Sequence, residues 1–105
     1  MDKAWLEQKI KECESVRPEI EKILREKLHL DDKEFEKIMD CLESPYYTNY
    51  TTAMHELDMV LIMKYVDDSM ETYMKYKELS KSSGIEKLFN KYTKKNWIEI
   101  LLSQI

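Results

Sequence analysis

The sequence predicts an all-α protein, a compact helical bundle of four to six helices with a long central helix from about residue 50 to 80. Apolar residues recur at three- and four-residue steps in every long segment. Gly84 is the only glycine, and Pro18 and Pro45 are the only prolines, so the chain lacks the turn residues that a many-stranded sheet requires. Hydrophobic residues make up 43% and charged residues 36%, which favours a folded, soluble chain. With 105 residues, we expect a single helical-bundle domain spanning residues 1–105.

The first helix is predicted to begin at Asp2, whose carboxylate can cap free backbone N–H groups. Its apolar stripe consists of Trp5, Leu6, Ile10, Cys13 and Val16. Pro18 interrupts this pattern. It either kinks one long helix or occupies the first position of a second helix over residues 18–28.

A third helix is predicted to start at Asp31, because Asp31 and Glu34 have the spacing of a capping box. Its buried face is predicted to contain Phe35, Ile38, Met39 and Leu42. Ser44 and Pro45 should end this helix and begin a short connection rich in Tyr and Thr, which reaches about Thr52.

The central helix is predicted to be apolar on two sides from Ala53 onward, as is typical of a helix at the middle of a bundle. Asp68 and Glu71 again have capping spacing and allow a restart midway, but we expect one continuous helix. Its methionines are interpreted as core residues, with a partly open groove as the alternative: Met54, Met59, Met63, Met70 and Met74.

The remaining helices are predicted to start after Gly84, which can adopt a left-handed conformation, and again at Asn96, where Asn96 and Glu99 have capping spacing. The last of these helices is short and apolar on almost all sides. Its apolar residues are Trp97, Ile98, Ile100, Leu101, Leu102 and Ile105. Because one contact face cannot cover so much apolar surface, this helix either fills the core or meets a partner.

Several kinds of chemistry are disfavoured by the residue patterns. A phosphate-binding loop needs several glycines, and His29 and His55 form no metal-ligand spacing with each other or with the cysteines. A magnesium-dependent helical nucleotide hydrolase would need paired acids on facing helices, but Glu56 is followed three residues later by Met59. We therefore predict no enzyme, no cofactor and no metal, and place that hydrolase third among the possible functions.

The N-terminal sequence has no apolar signal segment, and the longest apolar run is far shorter than the roughly 20 residues of a membrane span. We therefore expect a cytoplasmic protein without membrane contact. In that compartment Cys13 and Cys41 are predicted to be reduced.

The predicted function is protein–protein interaction, as a small regulator, inhibitor, immunity protein, antitoxin or assembly subunit that binds another protein or itself. The candidate contact residues are apolar or aromatic, as interface anchors are: Tyr46, Tyr47, Tyr50, Trp97, Leu101 and Ile105.

The alternative is nucleic-acid binding by the segment 75–95, which holds seven lysines against two glutamates. Its candidate residues are Lys87, Lys91, Lys94 and Lys95. The segment lacks arginine, and the whole chain carries a net charge of −4, so protein binding is favoured.

Overall fold

The computed structural model describes residues 2–44 and 50–105, and within these ranges the chain is helical with no strand. The elements are α1 (Lys3–Glu14), α2 (Arg17–Lys22), a π-helical turn (Ile23–Lys27), α3 (Asp32–Glu43), α4 (Thr51–Tyr65), α5 (Met70–Ser82) and α6 (Ile85–Ser103). The prediction of an all-α bundle of four to six helices is confirmed.

The first two helices are separate, which decides between the two predicted roles of Pro18. The Asp2 carboxylate accepts a hydrogen bond from the backbone N–H of Ala4, 3.0 Å away, so the predicted cap of α1 is confirmed. Pro18 lies in the first turn of α2, where its missing N–H costs no hydrogen bond. The π-helical turn then ends at Leu28, and His29 takes a left-handed conformation with φ 58°.

The capping box at the start of α3 is confirmed. The Asp31 carboxylate accepts a hydrogen bond from the Glu34 N–H at 2.8 Å, and the Glu34 carboxylate accepts one from the Asp31 N–H at 2.9 Å. The predicted buried face is also confirmed, since these four residues are buried: Phe35, Ile38, Met39 and Leu42.

The prediction of one continuous helix over residues 50–80 is wrong, because the helix is interrupted between Tyr65 and Met70. Ser69 is extended, and its hydroxyl accepts a hydrogen bond from the Thr72 N–H at 3.0 Å, so Ser69 caps α5 in place of the predicted Asp68. The break allows α5 to fold back against α4, where the Tyr73 hydroxyl donates to the Asp58 carboxylate at 2.7 Å.

The predicted short helix starting at Asn96 is also wrong. Gly84 adopts φ 81° and precedes α6, which then runs unbroken for 19 residues. Asn96 is buried in the middle of α6, and its side-chain amide donates to the backbone carbonyl of Leu42, 3.1 Å away. An asparagine engaged in this way cannot cap a new helix.

The largest group of buried residues fills the space between α2, the π-helical turn and α3 to α6. Within it, the Tyr65 hydroxyl donates to the Leu28 carbonyl, which joins α4 to the end of the π-helical turn. Helix α1 packs mainly on α6. The described chain measures 52 × 21 × 20 Å. None of its helices has both the length and the apolar content that crossing a membrane requires.

Candidate protein-binding surface

The burial of helix α6 changes along its length. Its first two thirds face the core, with six buried residues: Ile85, Phe89, Tyr92, Thr93, Lys95 and Asn96. Residues 97–105 are all described, and none of them is buried. The helix therefore continues beyond the core that holds it.

The exposed end of α6 carries large apolar side chains on one side. Trp97, Leu101 and Ile105 are spaced four residues apart and are 56%, 41% and 65% exposed. Residues at this spacing lie above one another on a helix, so the three side chains form one apolar strip, which we call the C-terminal stripe. A hydrogen bond from the Ile105 N–H to the Leu102 carbonyl, 3.2 Å long, keeps Ile105 in the final turn.

The C-terminal stripe is costly to leave in water. Burying one large apolar side chain is worth roughly 1.5–3 kcal/mol, and isolated exposed side chains are common, but contiguous ones mark contact sites. Trp5 of α1, the helix that packs on α6, is exposed as well.

A buried polar cluster fixes α6 just before the stripe begins. It consists of Glu43, Tyr92, Lys95 and Asn96. Lys95 is only 3% exposed, and its Nζ lies 2.7 Å from the Glu43 carboxylate and 3.8 Å from the carboxylate of Glu99. The Tyr92 hydroxyl donates to the same Glu43 carboxylate. These contacts join the end of α3 to the middle of α6.

The electrostatics of the buried polar cluster follow from these contacts. Burial alone would raise the pKa of Glu43, but the hydrogen bonds from Lys95 and Tyr92 outweigh it and hold the pKa below its ordinary value. Burial and the neighbouring Glu43 carboxylate raise the pKa of Tyr92. Glu43 is therefore ionised and Tyr92 neutral near pH 7, which suits an ion pair with Lys95.

The structure separates the four lysines that the sequence groups together. Lys87, Lys91 and Lys94 are exposed on α6, whereas Lys95 is buried against Glu43. Lys95 is therefore poorly placed for the predicted contact with nucleic acid, because its ammonium group is held inside the protein by an ion pair.

The predicted tyrosine surface is described only in part. Tyr50 is half-buried and packs against the core, so much of its side chain is committed to the fold. Tyr46 and Tyr47 lie outside the described residues.

Contrary to the prediction, most of the methionines do not fill the core but lie at the surface. Met54 is half-buried and packs against the core, but the other four of the set are exposed on α4 and α5: Met59, Met63, Met70 and Met74. Helix α4 packs with α3 and α5 and buries Ala53, Leu57, Val60 and Leu61, whereas Met59 and Met63 stay at the surface.

In residues 2–44 and 50–105, no three His, Cys, Asp or Glu side chains are grouped so that they could hold a metal ion. Cys13 and Cys41 are free thiols, and burial raises the pKa of both, which disfavours the reactive thiolate.

Comparison with known proteins gives no relative. The chain matches no protein-family model, and neither a curated protein nor a solved structure is significantly similar to it.

Proposed function

We propose that this protein binds a partner protein through the C-terminal stripe and acts as a small regulator or assembly subunit. The observation that carries the proposal is the exposed row formed by Trp97 and Leu101 of α6 and by Ile105 just after it, on a helix whose other end is fixed in the core. A rigid helix loses little conformational entropy when it binds, so its apolar area is available for affinity.

The residue types of the stripe are those that dominate binding energy at interfaces. Tryptophan is enriched among residues whose truncation costs more than about 2 kcal/mol of binding free energy. A row of apolar side chains on one side of a helix fits an apolar groove on another protein, with anchors one turn apart. Lys87, Lys91 and Lys94 precede the stripe on α6 and favour a partner whose groove has an acidic border.

Co-purification from the native host tests this proposal. The unchanged protein is expected to retain a stoichiometric partner, and Trp97→Glu should release it, because a carboxylate cannot be buried in an apolar groove without a counter-charge. Met70→Glu is the matched control: Met70 has a similar exposure of 62% but lies on α5, away from the stripe.

The same two variants separate the possible results. Loss of the partner from Trp97→Glu but not from Met70→Glu supports the stripe as the contact. Equal loss from both variants, or retention by both, contradicts it. Sedimentation of the purified protein then shows whether the partner is a second copy, since a dimer should dissociate in Trp97→Glu alone.

Nucleic-acid binding is a second candidate because Lys87, Lys91 and Lys94 are exposed and spaced four and three residues apart, on one side of α6. This function predicts an affinity for single-stranded or duplex DNA that falls steeply with salt. Changing the three lysines to glutamate should abolish it, and Trp97→Glu should leave it largely intact. Affinity that is insensitive to the three changes argues against this candidate.

A further inference from the structure

A groove of about 450 Å³ lies between α3 and α4, away from α6. Its apolar floor is formed by Met59, Val60 and Met63, of which Val60 is buried and Met63 is 73% exposed. Its charged border consists of Asp31, Lys33, Glu34, Lys37 and Glu56. Three carboxylates face two ammonium groups, so the lining is net negative.

Two of the three carboxylates have their hydrogen bonds within the protein. Asp31 accepts from the Glu34 N–H, and the Glu34 carboxylate accepts from the Asp31 N–H and from Lys64 Nζ, each 2.9 Å away. These two acids serve the start of α3 and its link to α4.

Glu56 differs from them. Its Oε2 atom is buried and has no hydrogen-bond donor within the part of the chain that the structure describes. Lys37 Nζ lies 3.7 Å from this atom, too far for a hydrogen bond, and the Lys37 side chain is 61% exposed. A buried acceptor without a donor costs free energy, and this cost is removed when a ligand supplies the donor.

The residues around Glu56 define which donor fits. The carboxylate attracts a cation, and the methionine side chains beside it offer a flexible apolar surface for an aliphatic stem. Arginine combines both features: its planar guanidinium forms paired hydrogen bonds with a carboxylate, and its methylene groups pack on apolar surface. Lys37 forms a 3.7 Å ion pair with Glu56 Oε2 but is 61% exposed, so an arginine that enters the groove replaces this long contact with direct hydrogen bonds.

We propose that the α3–α4 groove is a second protein-binding site, which takes an arginine side chain of a partner protein, with the guanidinium on Glu56 and a neighbouring apolar residue on Met59 and Met63. No lining residue belongs to α6, so this site can be tested independently of the C-terminal stripe.

The test uses methyl NMR of the intact protein labelled at methionine, with the Met59 and Met63 signals assigned through Met→Leu variants. The probe is an alanine-based helical peptide with leucine and arginine four residues apart. A matched peptide carries citrulline, which has the same shape without the charge. The arginine peptide should shift both signals saturably, and the citrulline peptide should bind at least about tenfold more weakly.

Variants of the protein identify the carboxylate. Glu56→Gln should reduce the affinity for the arginine peptide to that for the citrulline peptide, while Glu36→Gln, an exposed glutamate of α3 outside the groove, should change nothing. Circular dichroism shows that each variant is folded. Equal shifts with both peptides, no shift with either, or full binding by Glu56→Gln would overturn the proposal. So would binding of free pentylguanidinium as tight as that of the peptide, since the occupant would then be a small cation.

Discussion

Lys95 and Trp97 stand two residues apart in α6 and have opposite environments. Lys95 is 3% exposed, although an ammonium group is among the costliest to bury, and Trp97 is 56% exposed, although its indole is among the most favourable to bury. The first is buried because α3 brings the Glu43 carboxylate within 2.7 Å of it. The second lies at the start of residues 97–105, none of which is buried.

Whether a side chain is buried in this bundle therefore depends on the contacts and counter-charges that the neighbouring helices supply, and only partly on its hydrophobicity. The core-facing part of α6 stabilises the fold, and its exposed end is free to bind. Mutations in the two parts should therefore affect different measurements.

The largest difference in the loss of unfolding free energy is expected between alanine substitutions of Phe89 and Leu101. Phe89 is fully buried in the core, so Phe89→Ala should lower the free energy of unfolding by about 4 kcal/mol through lost burial and the cavity it leaves. Leu101→Ala, at an exposed position, should change it by less than about 0.5 kcal/mol. Urea unfolding followed by circular dichroism measures both, and similar losses would show that the two parts of α6 do not differ.

The next largest loss of stability is expected from substitutions in the buried polar cluster. Glu43→Ala leaves Lys95 buried without its closest counter-charge, and we expect a loss of about 2–3 kcal/mol, towards the lower limit for a broken buried pair because Glu43 itself is partly exposed. Glu99→Ala is the control, since Glu99 is 3.8 Å from Lys95 and exposed. It should cost less than about 0.5 kcal/mol. Equal effects would mean that Lys95 does not depend on Glu43.

The same carboxylate should make stability depend on pH. Because its pKa in the folded protein is below the ordinary value of 4.5, ionised Glu43 contributes its full stabilisation above pH 4.5 and loses it as the pH falls through the lower folded value. The difference in unfolding free energy between the unchanged protein and Glu43→Gln should be constant near neutral pH and shrink at acid pH. A difference that grows on acidification would contradict this sign.

A smaller effect is expected at the start of α6. Gly84 has φ 81° and a Cβ placed on it meets no atom within 4 Å, so Gly84→Ala should cost about 1 kcal/mol through backbone strain alone. Urea unfolding checks this, with Ser82→Ala in the last turn of α5 as the control. An unchanged stability would show that the turn into α6 can relax.

Sequence reasoning found the helix class, the caps at Asp2 and Asp31 and the buried face of α3, because each depends on residues close together in the chain. It failed at Ser69 and Asn96. Asp68 had the predicted capping spacing, but Ser69 caps α5 where α5 folds back on α4. Asn96 also had capping spacing, but its side chain donates a hydrogen bond to Leu42 of the distant helix α3. Only the packing of the helices decides which side chain acts as the cap.

The residues of the proposed contact surface were only partly predictable from the sequence. Trp97, Leu101 and Ile105 were predicted from excess apolar content, and the structure places them at the surface. The role of Lys95 was missed, since its pairing with Glu43 spans most of the chain. One signal was present: positions 95 and 96 continue the apolar pattern of Phe89 and Tyr92 at three- and four-residue steps. The Glu56 groove has no sequence signal, because it depends on how α3 meets α4.

Site-specific photocrosslinking in the native host shows whether the exposed end of α6 binds a partner protein. A photoreactive amino acid replaces Leu101 in one variant and Glu36, an exposed position on α3, in another. We predict a discrete protein adduct from position 101 that disappears when Trp97→Glu is added, and none from position 36. No adduct at position 101, or the same adduct from both positions, would contradict the account.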